Sequence, residues 1–117
     1  MINAIYIMKV DSGNKESLES ILKLVISRTK YLPGCAKAEI WYNDETSEIM
    51  VKEIWRKDYD LDRHINSPLF KKMLAALELS ADKPGIQFCD CQHMRGLDFI
   101  EEVIKQNQGI VPVFPEQ

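Results

Sequence analysis

Residues 35–56, CAKAEIWYNDETSEIMVKEIWR, hold two runs rich in β-branched and aromatic residues, Cys35–Asn43 and Ile49–Arg56, separated by the polar stretch DETSE. A short polar connection between two such runs implies an antiparallel hairpin. Period-two alternation in the second run puts Val51, Glu53 and Trp55 on one face and Met50 and Ile54 on the other. The first run sets Trp41 against Ile40 and Tyr42. Both faces of this hairpin therefore read as apolar.

The flanks give the hairpin its place. From Lys15 to Tyr31 the period changes, with Leu18, Ile21, Leu22, Val25, Ile26 and Thr29 at helical spacing. Pro33 and Gly34 stop that helix. Before it, INAIYIMKV reads as a strand, apolar on both sides, followed by turn and cap residues in DSGN. After the hairpin, Asp58 is placed to cap a short helix with Leu61 and Ile65 turned inward. Ser67-Pro68 then starts another helix, as N-cap and first-turn proline, carrying Phe70, Met73, Leu74 and Leu77. ADKPG breaks it, IQFCDCQH reads as a fourth strand, and GLDFIEEVIKQNQG as a last helix.

The order β-α-β-β-α-α-β-α predicts an α+β chain: a ferredoxin-like split βαβ with an antiparallel four-stranded sheet and one additional helix. Residues 1–108 form the expected domain. Residues 109–117 form an extended C-terminal tail whose Ile110, Val111, Val113 and Phe114 are interrupted by prolines that exclude a helix. Helices cover one sheet face, so a second copy of the sheet is the economical cover for the other, and a homodimer is expected.

Composition narrows the function. A chain of 117 residues fits one domain, and a net charge of −3 argues against nucleic acid as a partner. No apolar run approaches the roughly 20 residues that span a bilayer. The alternating N-terminus does not read as a signal peptide, and an odd number of cysteines suits free thiols and a cytoplasmic location. Cys89, Cys91 and His93 alternate on the expected fourth strand. Their spacing of about 6.6 Å per pair of residues is too wide for ready chelation of one tetrahedral ion, so no metal is expected. The NKE run at Asn14 and the Lys71-Lys72 pair read as solvated surface.

Three short motifs stand in order: PGC at Pro33–Cys35, KEIW at Lys52–Trp55 and HINSPLFKKML at His64–Leu74. With them, roughly Ile2 to Cys91 resembles the antibiotic biosynthesis monooxygenase (ABM) superfamily of dimeric α+β barrels. The resemblance implies a pocket between sheet and helices, lined from the first and third strands by Tyr6, Val51, Glu53 and Trp55, with Phe70 and Leu74 contributed by the helix after Ser67. It implies a small aromatic or quinol-type substrate and cofactor-independent oxygenation, in which a base removes a phenolic proton and the anion passes an electron to dioxygen. His64 is the candidate base. Asp60, four residues before it on the same helical face, is the candidate to orient its ring. A haem role is disfavoured, because the position matching the haem-degraders' axial histidine is Leu74 and that matching their first-strand asparagine is Tyr6. Set against this reading, His64 is a partly exposed helix-end residue that compensates the dipole, Trp55 is plain core, and the chain is a non-catalytic small-molecule-binding or stress-associated protein on the same scaffold.

Overall fold

Alternation along the first strand carries straight through to burial. In β1 (Ile2–Lys9), Ile2, Ala4, Tyr6 and Met8 are buried, and the residues between them are only partly covered. The structure, a computed structural model, describes residues 1–90 and 94–108. Within them the chain runs β1, α1 (Lys15–Thr29), β2 (Cys35–Asn43), β3 (Glu48–Trp55), α2 (Asp58–Ile65), α3 (Pro68–Glu78), β4 (Gly85–Cys89), β5 (Met94–Arg95) and α4 (Leu97–Gln108). The antiparallel sheet has the order β2-β3-β1-β4, with the two-residue β5 at the β4 edge. This is the ferredoxin-like order expected from the sequence.

The sheet register sorts the side chains. Tyr6 lies opposite Val51, Ala4 opposite Glu53 and Ile2 opposite Trp55, so this set shares the helix-facing side. There it meets Leu18, Leu22, Val25 and Ile26 of α1, Leu61 and Ile65 of α2, and Phe70, Met73 and Leu77 of α3, all buried. The other side carries Ile5, Ile7, Met50 and Ile54, all partly buried, and Trp41, which is 53% exposed. Asn3, Lys52, Glu39 and Gln87 share that side, so it is mixed rather than uniformly apolar.

Local signals held with small shifts. Ser67 is the N-cap of α3, its hydroxyl accepting from Phe70 N–H at 3.3 Å, with Pro68 in the first turn. Asp58 is not a cap: Lys57 takes that position without a side-chain bond, and Asp58 sits in the first turn, where its charge suits the helix dipole. Asn14 is not solvated surface. It is 8% exposed, and its amide donates to the carbonyls of Lys9 and Leu79 at 3.0 and 2.8 Å, tying the end of β1 to the end of α3.

The fourth strand is shorter than expected. It ends at Cys89, and Met94 and Arg95 pair with Cys89 and Phe88 as a separate strand. Cys91 and His93 lie outside the described residues, as does the expected extended tail 109–117. Among the described residues, no helix is long and apolar enough to cross a membrane.

Candidate functional site

The buried face of β3 meets the buried face of α2, and this juxtaposition makes the site. Val51, Glu53 and Trp55 point in from the strand; Asp60, Leu61, His64 and Ile65 point in from the helix. Glu53 is wholly buried and His64 is 2% exposed. His64 is therefore an interior group, not the partly exposed helix end of the alternative reading.

Aromatic rings clamp the imidazole. Trp55 stacks on its face with centroids 4.6 Å apart and planes 28° apart, and Phe70 meets it edge-on at 5.2 Å and 82°. His64 Nε2 lies 3.5 Å from Glu53 Oε2. The other carboxylate oxygen, Oε1, accepts from the Trp55 indole N–H at 3.1 Å. The Glu-x-Trp motif thus has a local logic. Residues two apart on a strand share a face, so the tryptophan can hold the glutamate with one edge and cover the histidine with its ring.

Asp60 does not orient His64. Its carboxylate pairs with Arg63 at 2.6 Å, and among the described residues neither ring nitrogen of His64 has a hydrogen-bond partner. Helical spacing brought Asp60 and His64 to one face, but Arg63, three residues on, takes the carboxylate first. Asp60 also packs against Gly34. The φ of Gly34 is +83°, and a Cβ there would lie 2.0 Å from the Asp60 carboxyl carbon. Arg63 additionally reaches the Pro33 carbonyl at 3.5 Å, and Arg56 N–H donates to the Gly34 carbonyl at 2.8 Å. The Pro-Gly-Cys turn is thereby locked to α2.

Deeper in, Tyr6 touches Phe70 (6.3 Å) and Phe88 (5.8 Å, edge-on), and its buried hydroxyl has no hydrogen-bond partner. Burial, and then the charge of Glu53, holds the Tyr6 phenol well above its ordinary range. Tyr6 is therefore a neutral O–H donor. The same two causes, in the same order, push up the Cys35 thiol, which lies opposite Trp55 in the sheet. Tyr6 Oη, Glu53 Oε2, both His64 nitrogens and Asn66 Oδ1 form an unusual set of buried polar atoms without hydrogen-bond partners among the described residues. Native interiors seldom tolerate such groups without a functional reason.

A hollow of about 190 Å³ reaches this cluster from the surface. Leu32, Pro33, Asp60, Arg63 and Ser67 line it together with the buried Trp55 and His64. Larger hollows of about 280, 300 and 440 Å³ lie at the β2–β3 turn, beside β4 and α4, and on the open sheet side. None of these three includes His64 or Trp55, so chemistry rather than volume selects the site. Of the residues expected to form it, Trp55, His64 and Asp60 line the hollow, whereas Tyr6, Val51, Glu53 and Phe70 pack behind it with no exposed surface. Leu74 is partly buried against the same core.

The family profile described as Antibiotic biosynthesis monooxygenase matches residues 1–76. The chain belongs to the antibiotic biosynthesis monooxygenase family. The ABM match contains every residue of the buried pair and of the hollow. No curated protein matches the chain. Among solved structures, Rv0793 from Mycobacterium tuberculosis superposes with a TM-score of 0.70 at 18% identity, covering 79% of this chain and 95% of that one. A conserved protein from Methanosarcina mazei Go1 gives 0.68 at 21% identity, covering 75% and 89%. PA3566 from Pseudomonas aeruginosa gives 0.66 at 20% identity, covering 79% and 94%. At such identities the likeness is one of ABM fold.

Sequence reasoning placed Glu53 on Trp55's face but missed that it faces His64. A signal was present: a carboxylate on the buried side of a central strand requires a partner, and His64 is the histidine of the motif that follows. It also missed Arg63, although a basic residue three places after Asp60 is a standing competitor for that carboxylate.

Proposed function

We propose that this ABM chain is a cofactor-independent monooxygenase acting on a small, one-ring aromatic or quinol-type substrate. The observation that carries the reading is the His64 imidazole, clamped between Trp55 and Phe70 behind a hollow of about 190 Å³. That volume is below the roughly 300–1,000 Å³ of pockets for drug-sized ligands, which argues for a single ring. The ring would lie beside Trp55, with Val51, Phe70 and Leu74 as apolar backing and Tyr6 and Glu53 as the polar groups beneath.

His64 takes the proton of a ring hydroxyl. The electron-rich anion gives one electron to dioxygen, and the resulting superoxide and ring radical combine to form a carbon–oxygen bond. His64 returns its proton to the peroxide so formed, and the hydroperoxide then loses water. For a quinol the balance is quinol plus dioxygen to hydroxyquinone plus water: one oxygen stays on carbon, and the other leaves with two hydrogens of the substrate.

Oxygen uptake over a panel of monocyclic phenols and quinols tests this reading, with ¹⁸O₂ label expected in the product at one atom per turnover. A second reading, a binding protein without chemistry on the same scaffold, is favoured by the complete burial of Tyr6 and Glu53. Saturable binding of a panel member with no uptake above the buffer rate selects it.

The open sheet side supports a homodimer, with a second copy covering Ile5, Ile7, Met50, Ile54 and Trp41. Sedimentation should show a dimer at micromolar concentration, and Trp41→Glu should shift it toward monomer. A wild-type monomer throughout the concentration series refutes this assembly.

A further inference from the structure

We propose that Glu53 is the positioning residue of this site: it selects the His64 tautomer that carries its proton on Nε2 and leaves Nδ1 free to receive one. The proposal rests on the reading of His64 as the base, but its content is a tautomer, which is measurable without turnover.

Three observations converge. Glu53 Oε2 stands 3.5 Å from His64 Nε2, and both side chains are buried to 1% exposure or less. The indole N–H of Trp55 fixes Oε1 at 3.1 Å, so the carboxylate cannot rotate away without losing a bond in an interior that offers few others. The only other carboxylate that α2 turns inward, Asp60, is committed to Arg63. The 3.5 Å separation is slightly long for a hydrogen bond, and such contacts commonly tighten when ligand binds.

A neutral imidazole donates from one nitrogen and accepts at the other, and the bond made by the first decides which is which. A carboxylate accepts only. Facing Nε2, it favours the Nε2–H form, and Nδ1 becomes the basic atom. When Nδ1 takes the substrate proton, the imidazolium forms beside a fixed carboxylate in a dry interior. Glu53 stabilises the cation until His64 gives the proton back to the peroxide. Trp55 therefore has two jobs that a bare core residue lacks: it holds the carboxylate and stacks on the ring.

Long-range ¹H–¹⁵N correlation of the imidazoles reads the tautomer directly. The chain has two histidines, and His93→Gln assigns the remaining signal to His64. At a pH where His64 is neutral, the wild type should show the Nε2–H pattern alone. Glu53→Gln, which keeps the volume and removes the obligate acceptor, should give a mixture or the Nδ1–H pattern. Trp55→Phe, which removes the indole N–H but keeps a ring, should blur the preference less strongly, and serves as the second variant if Glu53→Gln does not fold. An Nδ1–H wild type, or an Nε2–H pattern unchanged in whichever of the two variants folds, overturns the proposal. With a substrate in hand, Glu53→Gln should lower kcat by about 10²-fold or more with little change in KM, and Glu53→Asp should restore part of it. Failure of every substrate to consume oxygen, with the Nε2–H form intact, refutes the oxygenase reading and leaves the positioning role standing.

Discussion

On the proposed reading, replacing His64 by alanine is expected to lower turnover by about 10²-fold or more, the usual worth of a general base. The drop is expected in kcat, because Trp55 and the other residues lining the hollow remain to hold the ring. The substitution also costs stability, since it opens a void between Trp55 and Phe70 and strips Glu53 Oε2 of the group facing it. His64→Gln separates the two effects: it refills the space and can donate to Glu53, so the melting temperature recovers while turnover stays low. Sedimentation of both variants should remain that of the wild type, because His64 lies on the helix side of the sheet. Wild-type activity in His64→Ala on a confirmed substrate removes the base from the mechanism.

Gly34→Ala destabilises the fold by about 3 kcal/mol, the sum of a left-handed backbone penalty of about 1 kcal/mol and an overpacking cost of about 2 kcal/mol. The second part is specific to this chain. The new Cβ falls 2.0 Å from the carboxyl carbon of Asp60 and 2.2 Å from its Oδ2. Asp60 is itself held by Arg63, so α2 must shift as a unit to relieve the clash. A melting temperature lower by about 10 °C follows for a domain of this size. Gly34→Asn tests the cause. Asparagine tolerates positive φ better than alanine, so a backbone effect alone would make it the milder change. A clash with Asp60 makes it as damaging or worse. Two variants within about 1 °C of the wild type refute the packing account.

Gly34 shows how local rules and tertiary contacts divide the work. Pro33-Gly34 marks the end of the first helix from chain chemistry alone. That the glycine is also the only residue able to lie against Asp60 depends on α2 folding back over the turn. The end of β4 divides in the same way. Gly85–Cys89 reads as strand from its residues, but the pattern IQFCDCQH gives no reason to stop, because alternation continues to His93. The stop comes from Met94 and Arg95 pairing back onto Cys89 and Phe88, a contact that periodicity does not encode.

The amino-acid sequence by itself determined the element order apart from β5, the hairpin, the Ser67-Pro68 helix start and the common face of Val51, Glu53 and Trp55. Each depends on residues close enough along the chain to interact through local backbone geometry. Only the tertiary structure decided the partner of His64. Helical spacing nominated Asp60, but Arg63 and Gly34 occupy it, and Glu53 arrives from a different element. Which buried polar groups meet is set by how the inner faces of strand and helix dock, and by the cost of leaving a carboxylate such as Glu53 in the interior with nothing to face.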